Sequence, residues 1–346
     1  MIKKEYNPSD VGVSNGNYFG MPFSPEESRL VLISVPWDVT ASYGGGASSA
    51  PDAIIEASTQ LDFYDRTSPD EWRKGIGTVP INYSIQDRST MLRGEAKKVM
   101  QFLEEGGMIF DEKIMPRRIE RINTASTELN RELFETVSNW LKRGKLVGIV
   151  GGDHSVPLGA IRAVAEQQGK IGLLHIDAHC DLRKSYEGFT YSHASIMYNV
   201  CNEIEAVERI VQVGVRDYCD DEIDFVANSH GRIITFDDTD MAERLFNGEH
   251  WSALCSEIVS ALPQKVYVSF DIDGLSPDNC PHTGTPVTGG LSFNQAVRLI
   301  DEVVRSGRQI VGFDLVEVAP DPHSQFDAEV GARMLFKMCG MLLKSN

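Results

Sequence analysis

The sequence predicts an α/β protein of three layers, with a mainly parallel central sheet between two layers of helices. Three observations predict it. Short apolar runs rich in Val, Ile and Leu recur along the chain without polar alternation, as strands buried on both faces require. Longer stretches with helical spacing of apolar residues lie between them. Several runs end in Gly, Asp or His, and in open parallel sheets the carboxyl ends of strands are where sites form.

Taken in order, residues 30–35 read as the first strand and residues 50–57 as a helix with Pro51 in its opening turn. Residues 122–143 are amphipathic. Leu129, Leu133, Phe134, Val137 and Leu141 recur at helical spacing, and Gly144 ends the helix before a strand at Leu146–Val150. Further strands are expected at residues 173–176, 209–215, 232–236, 266–270 and 309–313, with helices between them. No repeat or low-complexity tract interrupts the pattern, so residues 1–346 are expected to form one domain. Residues 1–28 are expected as a surface-hugging extension and residues 105–121 as a variable insertion.

With 346 residues and 42% hydrophobic content the chain can bury a sizeable core. Its 50 Asp and Glu against 33 Lys and Arg, a net charge of −17, argue against nucleic acid as a partner and suit a cationic small molecule. Six cysteines form no Cys-x-x-Cys pair and are read as reduced. The first residues lack the apolar core of a signal peptide, and no run of about 18 apolar residues occurs, so a cytoplasmic protein without membrane contact is expected.

The chemistry sits at strand ends. Asp177, His179 and Asp181 follow one apolar run, and Asp271 and Asp273 close another. Side chains two apart on a strand leave the same face, so Asp177 and His179 are expected to point together, as are Asp271 and Asp273. A third strand runs into Gly151-Gly-Asp-His154. Taken singly, each fragment has a plainer reading, because an Asp or Ser after a strand commonly caps a helix or a turn. Three such strand ends in one chain point instead to a metal site. The donors are two imidazoles, His154 and His179, and four carboxylates, Asp177, Asp181, Asp271 and Asp273. Without a thiolate the set suits Mn²⁺ better than structural zinc. Four negative charges balance two divalent cations, and ions roughly 3.5–4 Å apart need bridging carboxylates, a role for Asp177 and Asp271. His175, deeper on the same strand, reads as a hydrogen-bonded support, and His282 as a loop residue. Glu317, at a fourth strand end, would by itself be taken for half of a structural ion pair.

Gly151-Gly-Asp-His-Ser155, Asp177-Ala-His-Cys-Asp181, Ser269-Phe-Asp-Ile-Asp-Gly274 continuing to Thr283-Gly-Thr-Pro-Val-Thr-Gly-Gly-Leu291, and Asp314-Leu-Val-Glu-Val318 together resemble the ureohydrolase family of arginases and agmatinases. The resemblance implies an arginase-like fold and two Mn²⁺ per chain. It implies one ion on His154, Asp177, Asp181 and Asp271, and the other on Asp177, His179, Asp271 and Asp273. It assigns binding of the substrate guanidinium to Glu317 and proton transfer to His193. A homo-oligomer, a trimer or a hexamer, is implied as well.

By the same resemblance, arginases read the amino-acid carboxylate with an Asn and small hydroxyls after the last Asp of Asp-Ala-His-x-Asp. Residues 182–192 contain no Asn, and Tyr186-Glu-Gly-Phe189 is similar to the agmatinase branch. Hydrolysis of agmatine to putrescine and urea is therefore the expected reaction. Arg183 and Lys184 could pair with a carboxylate, which keeps a guanidino acid such as guanidinobutyrate open. Arginase activity, formimidoylglutamase activity and metal binding without turnover stay open as well. Two departures stand out: Tyr43-Gly-Gly-Gly46 replaces an Arg-Pro-Gly-like turn at the pocket rim, and Ser276 stands where many relatives carry Asp.

Overall fold

The computed structural model describes residues 7–110 and 113–346. Its strands are β1 (Leu30–Ser34), β2 (Ile76–Thr78), β3 (Leu146–Val150), β4 (Ile171–Ile176), β5 (Val207–Val215), β6 (Ile233–Asp237), β7 (Lys265–Asp271) and β8 (Gln309–Val316). They form one sheet in the order β2-β1-β3-β8-β7-β4-β5-β6, and every neighbouring pair is parallel. The expected three-layer architecture is what the chain adopts.

Residues alternating along a strand serve opposite layers. On β1, Leu30 and Leu32 join one buried cluster while Val31 and Ile33 join the other. The first cluster is closed by helices α1 (Ala50–Ser58), α8 (Trp251–Ser260), α9 (Phe293–Arg305) and α10 (Phe326–Lys344). The second is closed by α2 (Tyr83–Glu104), α3 (Ile114–Lys142), α4 (Leu158–Gln168) and α5 (Ile196–Glu203). Each fully buried Leu, Ile or Val contributes about 1.5–3 kcal/mol, so both faces of the sheet are strongly held. Two further helices, α6 (Asp220–Ala227) and α7 (Asp238–Phe246), follow β5 and β6. A reciprocal cap starts α9: the Gln295 N–H donates to Ser292 Oγ at 3.3 Å, and the Ser292 N–H donates to Gln295 Oε1 at 2.9 Å.

The boundaries differ from the sequence expectation in three places. Helix α3 starts at Ile114, eight residues before the expected 122, and residues 111 and 112 of the segment expected as an insertion lie outside the described residues. Residues 1–6 of the expected surface extension also lie outside them, but Tyr18, Phe19 and Met21 go inward. Phe19 meets the ring of Phe336 edge-on at 5.2 Å, an apolar anchor the sequence pattern did not announce. Asp177, His179 and Asp181 lie beyond the end of β4, so a turn and not strand pleating sets their directions.

All six cysteines are free. Among the described residues no helix is long and apolar enough to cross a membrane.

Candidate active site

Four neighbouring strands at the centre of the sheet, β3, β8, β7 and β4, deliver the candidate residues from their carboxyl ends. His154 follows β3, Glu317 follows β8, Asp271 ends β7 with Asp273 just beyond, and Asp177 to Asp181 follow β4. The Gly151-Gly152 pair permits this convergence. A Cβ on Gly152 would lie 1.7 Å from the carbonyl oxygen of Trp37, so only glycine lets the β3 turn pass the chain leaving β1. The Gly152 carbonyl accepts the Glu317 N–H at 2.8 Å, which binds the ends of β3 and β8 together.

The imidazole of His154 faces a ring of acids. Its Nδ1 lies 2.9 Å from Asp177 Oδ2, 3.1 Å from Asp181 Oδ2 and 3.3 Å from Asp271 Oδ2. On the other side of Asp177, His179 Nδ1 lies 3.4 Å from Asp177 Oδ1 and 3.2 Å from Asp273 Oδ2. Asp177 therefore turns one oxygen to each group, the geometry of a bridging carboxylate. Asp271 presents Oδ2 to His154 while its Oδ1 accepts the Asp273 N–H at 2.8 Å. Asp181 holds this position with a left-handed backbone, φ 54°, at a cost of roughly 1–3 kcal/mol that the surrounding contacts must offset.

Two hydrogen-bond chains orient the imidazoles. Ser269 Oγ donates to Asp314 Oδ1 at 3.0 Å and so takes the proton on His154 Nε2, 2.9 Å away. His154 Nδ1 is then left buried and turned toward three carboxylates. Behind Asp177, the Gln212 amide donates to His175 Nδ1 at 3.0 Å, leaving His175 Nε2–H to donate to Asp177 Oδ2 at 2.8 Å. His175 thus lies within ligand distance of Asp177 and Asp181 but turns a proton toward the cluster, which makes it a support for Asp177.

Electrostatics point the same way. Burial opposes charge on His154, yet its contacts with Asp177, Asp181 and Asp271 outweigh burial and hold it well above the ordinary histidine value. Burial and then the repulsion of Asp177 push Asp181 up to about 7, and burial and then Asp273 push Asp271 well above the carboxylate range. The site is a dry concentration of negative charge that calls for cations. Hard oxygen donors with two imidazoles fit divalent metal ions.

Glu317 lies beside this cluster. The His154 N–H donates to its Oε1 at 2.8 Å, while Oε2 is buried without a partner. Its backbone is left-handed, φ 63°. Burial and then the charge of Asp153 push its carboxyl well above the usual range. Gly284 roofs it: a Cβ there would stand 2.7 Å from Glu317 Oε2. Glu317 is 3% exposed, so its free oxygen lies in a dry setting beside Gly284.

A cleft of about 320 Å³ opens next to the cluster, lined by His179, Asp181 and His193 together with Tyr43, Arg183 and Asp217. The His193 N–H donates to Thr40 Oγ1 at 3.1 Å, and Thr40 Oγ1 donates to Asp153 Oδ2 at 2.9 Å. Asp153 thus positions the cleft histidine through Thr40. Tyr186 meets the His193 ring edge-on at 6.2 Å. Tyr186 and Phe189 close a tight turn by exchanging backbone bonds of 3.2 and 2.8 Å, with Glu187 and Gly188 both at positive φ.

Sequence reasoning missed Gln212, Thr40 and the orienting roles of Ser269, Asp314 and Asp153. A polar side chain inside an otherwise apolar strand was the available signal for Gln212, Ser269 and Asp314. His282, read as a loop residue, directs Nδ1 to Asp327 Oδ2 at 2.9 Å, and Ser276 Oγ accepts the Asp278 N–H at 3.4 Å.

Comparison with known proteins adds a lineage. A model of the arginase family matches residues 28–340. The chain is 33% identical over 319 residues to the N(1)-aminopropylagmatine ureohydrolase of Thermus thermophilus, covering 92% of this chain and 91% of that one. It is 29% identical over 331 residues to the agmatinase of Neisseria meningitidis, covering 94% and 92%. Among solved structures, the agmatine ureohydrolase of Thermoplasma volcanium aligns with a TM-score of 0.70 at 23% identity over 93% of this chain and 92% of that one. The proclavaminate amidino hydrolase of Streptomyces clavuligerus aligns with a TM-score of 0.71 at 23% identity over 99% and 100%. At such identities the structural likeness speaks for the fold.

Proposed function

The chain belongs to the arginase family, and from that premise we propose that it is a binuclear manganese ureohydrolase acting on an amine-terminated guanidino compound of the agmatine type. One ion would rest on His154, Asp177, Asp181 and Asp271, and the other on Asp177, His179, Asp271 and Asp273. The observation that carries the reading is the double use of His154. Its Nδ1 faces three carboxylates, while its backbone N–H holds Glu317 with one oxygen free.

Bound there, two divalent cations would neutralise the acids and supply a water deprotonated near neutral pH. The side chains do the rest. Glu317 offers Oε2 to the guanidinium in a dry setting, where a charge-assisted pair is strong and holds the carbon as it turns tetrahedral. Burial, and then repulsion from His179, pushes the His193 imidazole down to about 3. It is neutral at working pH and cannot act as a standing acid. It takes a proton arising in the attack and hands it to the leaving amine, the work of a shuttle. Urea and an amine result.

The cleft favours an amine at the far end of the substrate over a carboxylate. Arg183, the residue that could read a carboxylate, lies 3.8 Å from Glu222 and stacks over Tyr186 at 4.9 Å. Its charge is already answered. A urea-release screen of the Mn²⁺-loaded protein with agmatine, arginine, guanidinobutyrate and guanidinopropionate tests the proposal. Agmatine should be cleaved far faster than either guanidino acid, and a preference for guanidinobutyrate would replace this reading with the guanidino-acid one.

A further inference from the structure

We infer that Asp217, with the rings of Tyr43 and Tyr218, forms an ammonium-binding collar at the cleft rim that reads a second, distal amine of the substrate. The inference rests on the guanidino-hydrolase reading above. The substrate class it selects is a linear chain with a guanidinium at one end and two ammonium groups beyond it.

All three residues line the same cleft as His179 and His193. Asp217 is placed by backbone: it bridges to His179, and its N–H donates to the Ala178 carbonyl at 3.1 Å. Its carboxylate is exposed, and no cationic side chain lies within 4.0 Å of it among the described residues. The adjacent cation, Arg216, is spent elsewhere. Its guanidinium donates to the carbonyls of Gly214 at 2.8 Å, Asp273 at 2.6 Å, Leu275 at 3.2 Å, Val287 at 3.1 Å and Thr288 at 3.1 Å. Of the other acids of the cleft, Asp181 faces His154 Nδ1 in the acid cluster, and Glu222 is engaged by the N–H groups of Leu182 and Cys219 and by Arg183. Asp217 is therefore the carboxylate left to meet a ligand cation.

Two aromatic rings complete the site. Tyr218 is 41% exposed, and its hydroxyl donates to Asp237 Oδ2 at 2.9 Å, which fixes the ring at the rim. Tyr43 is 86% exposed, yet its loop is pinned on both sides: Gly44 N–H donates to the Gly284 carbonyl at 2.8 Å, and Gly46 N–H donates to Asp38 Oδ2 at 3.0 Å. A Cβ on Gly44 would stand 2.7 Å from that same Gly284 oxygen, so the glycine is what lets the Tyr43 loop clasp the segment over Glu317. One face of Tyr186 is covered by Arg183. A carboxylate in a cleft that also presents two aromatic rings attracts an ammonium both by charge and by the ring quadrupoles.

The test compares kcat/KM of the Mn²⁺-loaded protein for agmatine, its N1-aminopropyl derivative and guanidinobutyrate in wild type, Asp217→Asn, Asp217→Lys and Tyr43→Ala. The wild type should prefer the aminopropyl derivative. Asp217→Asn should cut that preference roughly tenfold or more, mainly through KM, the scale of one lost charge-assisted contact. Tyr43→Ala should cut it by less, and Asp217→Lys should raise guanidinobutyrate relative to both amines. Calorimetric binding of the triamine spermidine gives a second readout without turnover, and Asp217→Asn should weaken it by a similar factor. Equal losses for agmatine and its derivative, or unchanged spermidine binding, overturn the collar. Absence of urea from every guanidino compound instead overturns the preceding reading, and the spermidine measurement still decides this one.

Discussion

The backbone N–H of His154 donates to Glu317 Oε1 at 2.8 Å, so the residue that offers Nδ1 to the acid cluster also aims the carboxylate beside it. One turn at the end of β3 couples the proposed metal centre to the proposed guanidinium site. A shift of that turn would disturb both together, because the β3 and β8 ends share the Glu317 N–H to Gly152 bond as well.

Glu317→Gln keeps the size and the bond to His154 but turns an amide donor toward the guanidinium. It should cost about 2–4 kcal/mol in transition-state binding for every guanidino substrate, measured as kcat/KM, with metal content and thermal midpoint unchanged. Gly284→Ala should reproduce much of the loss without altering charge, since its Cβ would meet Oε2 at 2.7 Å. A substrate-selective loss in Glu317→Gln would contradict the assignment.

His193→Asn should lower kcat by roughly 10²–10⁴ while both metals stay bound. Because removal from water pushes His193 down to about 3, its imidazole gains a proton only in strong acid. The acid limb of the kcat/KM profile between about pH 5 and 8 should therefore be the same in wild type and mutant. A limb in that window that disappears with the substitution would show that His193 titrates there.

Arg183→Ala should leave the ratio of agmatine to guanidinobutyrate turnover within about threefold, because Glu222 and the Tyr186 ring already occupy the guanidinium. Collapse of the preference in this mutant would restore Arg183 as the reader of the substrate's far end.

Asp271→Asn should abolish turnover and lower metal occupancy, as both ions would lose a charged ligand at once. Metal removal by chelation should lower the thermal midpoint of the wild type, since each site held at 100 times its Kd contributes about 2.7 kcal/mol to stability. A midpoint indifferent to chelation would mean that the acids are accommodated without cations.

The strand-end residues were legible because they break apolar runs: β3 appears at Leu146–Val150 as expected, and His154, Asp177 and Asp271 converge from β3, β4 and β7 at the centre of the sheet. The three-residue strand β2 carries too few residues for a period to show. Helix α2 was also illegible, since its buried Ile85, Leu92, Ala96 and Val99 are diluted by charged residues on a half-exposed helix. The orienting residues were hidden for a different reason. Gln212, Ser269 and Thr40 acquire meaning only through partners 37, 115 and 153 positions away in the chain, at His175, His154 and His193.

Titration of Mn²⁺ into metal-free protein, with urea release from agmatine followed at each step, tests the binuclear account most directly. Urea release should climb to a plateau at two bound ions per chain, with the second ion required for full turnover. Full activity with one ion bound, or no urea once two are bound, would contradict it.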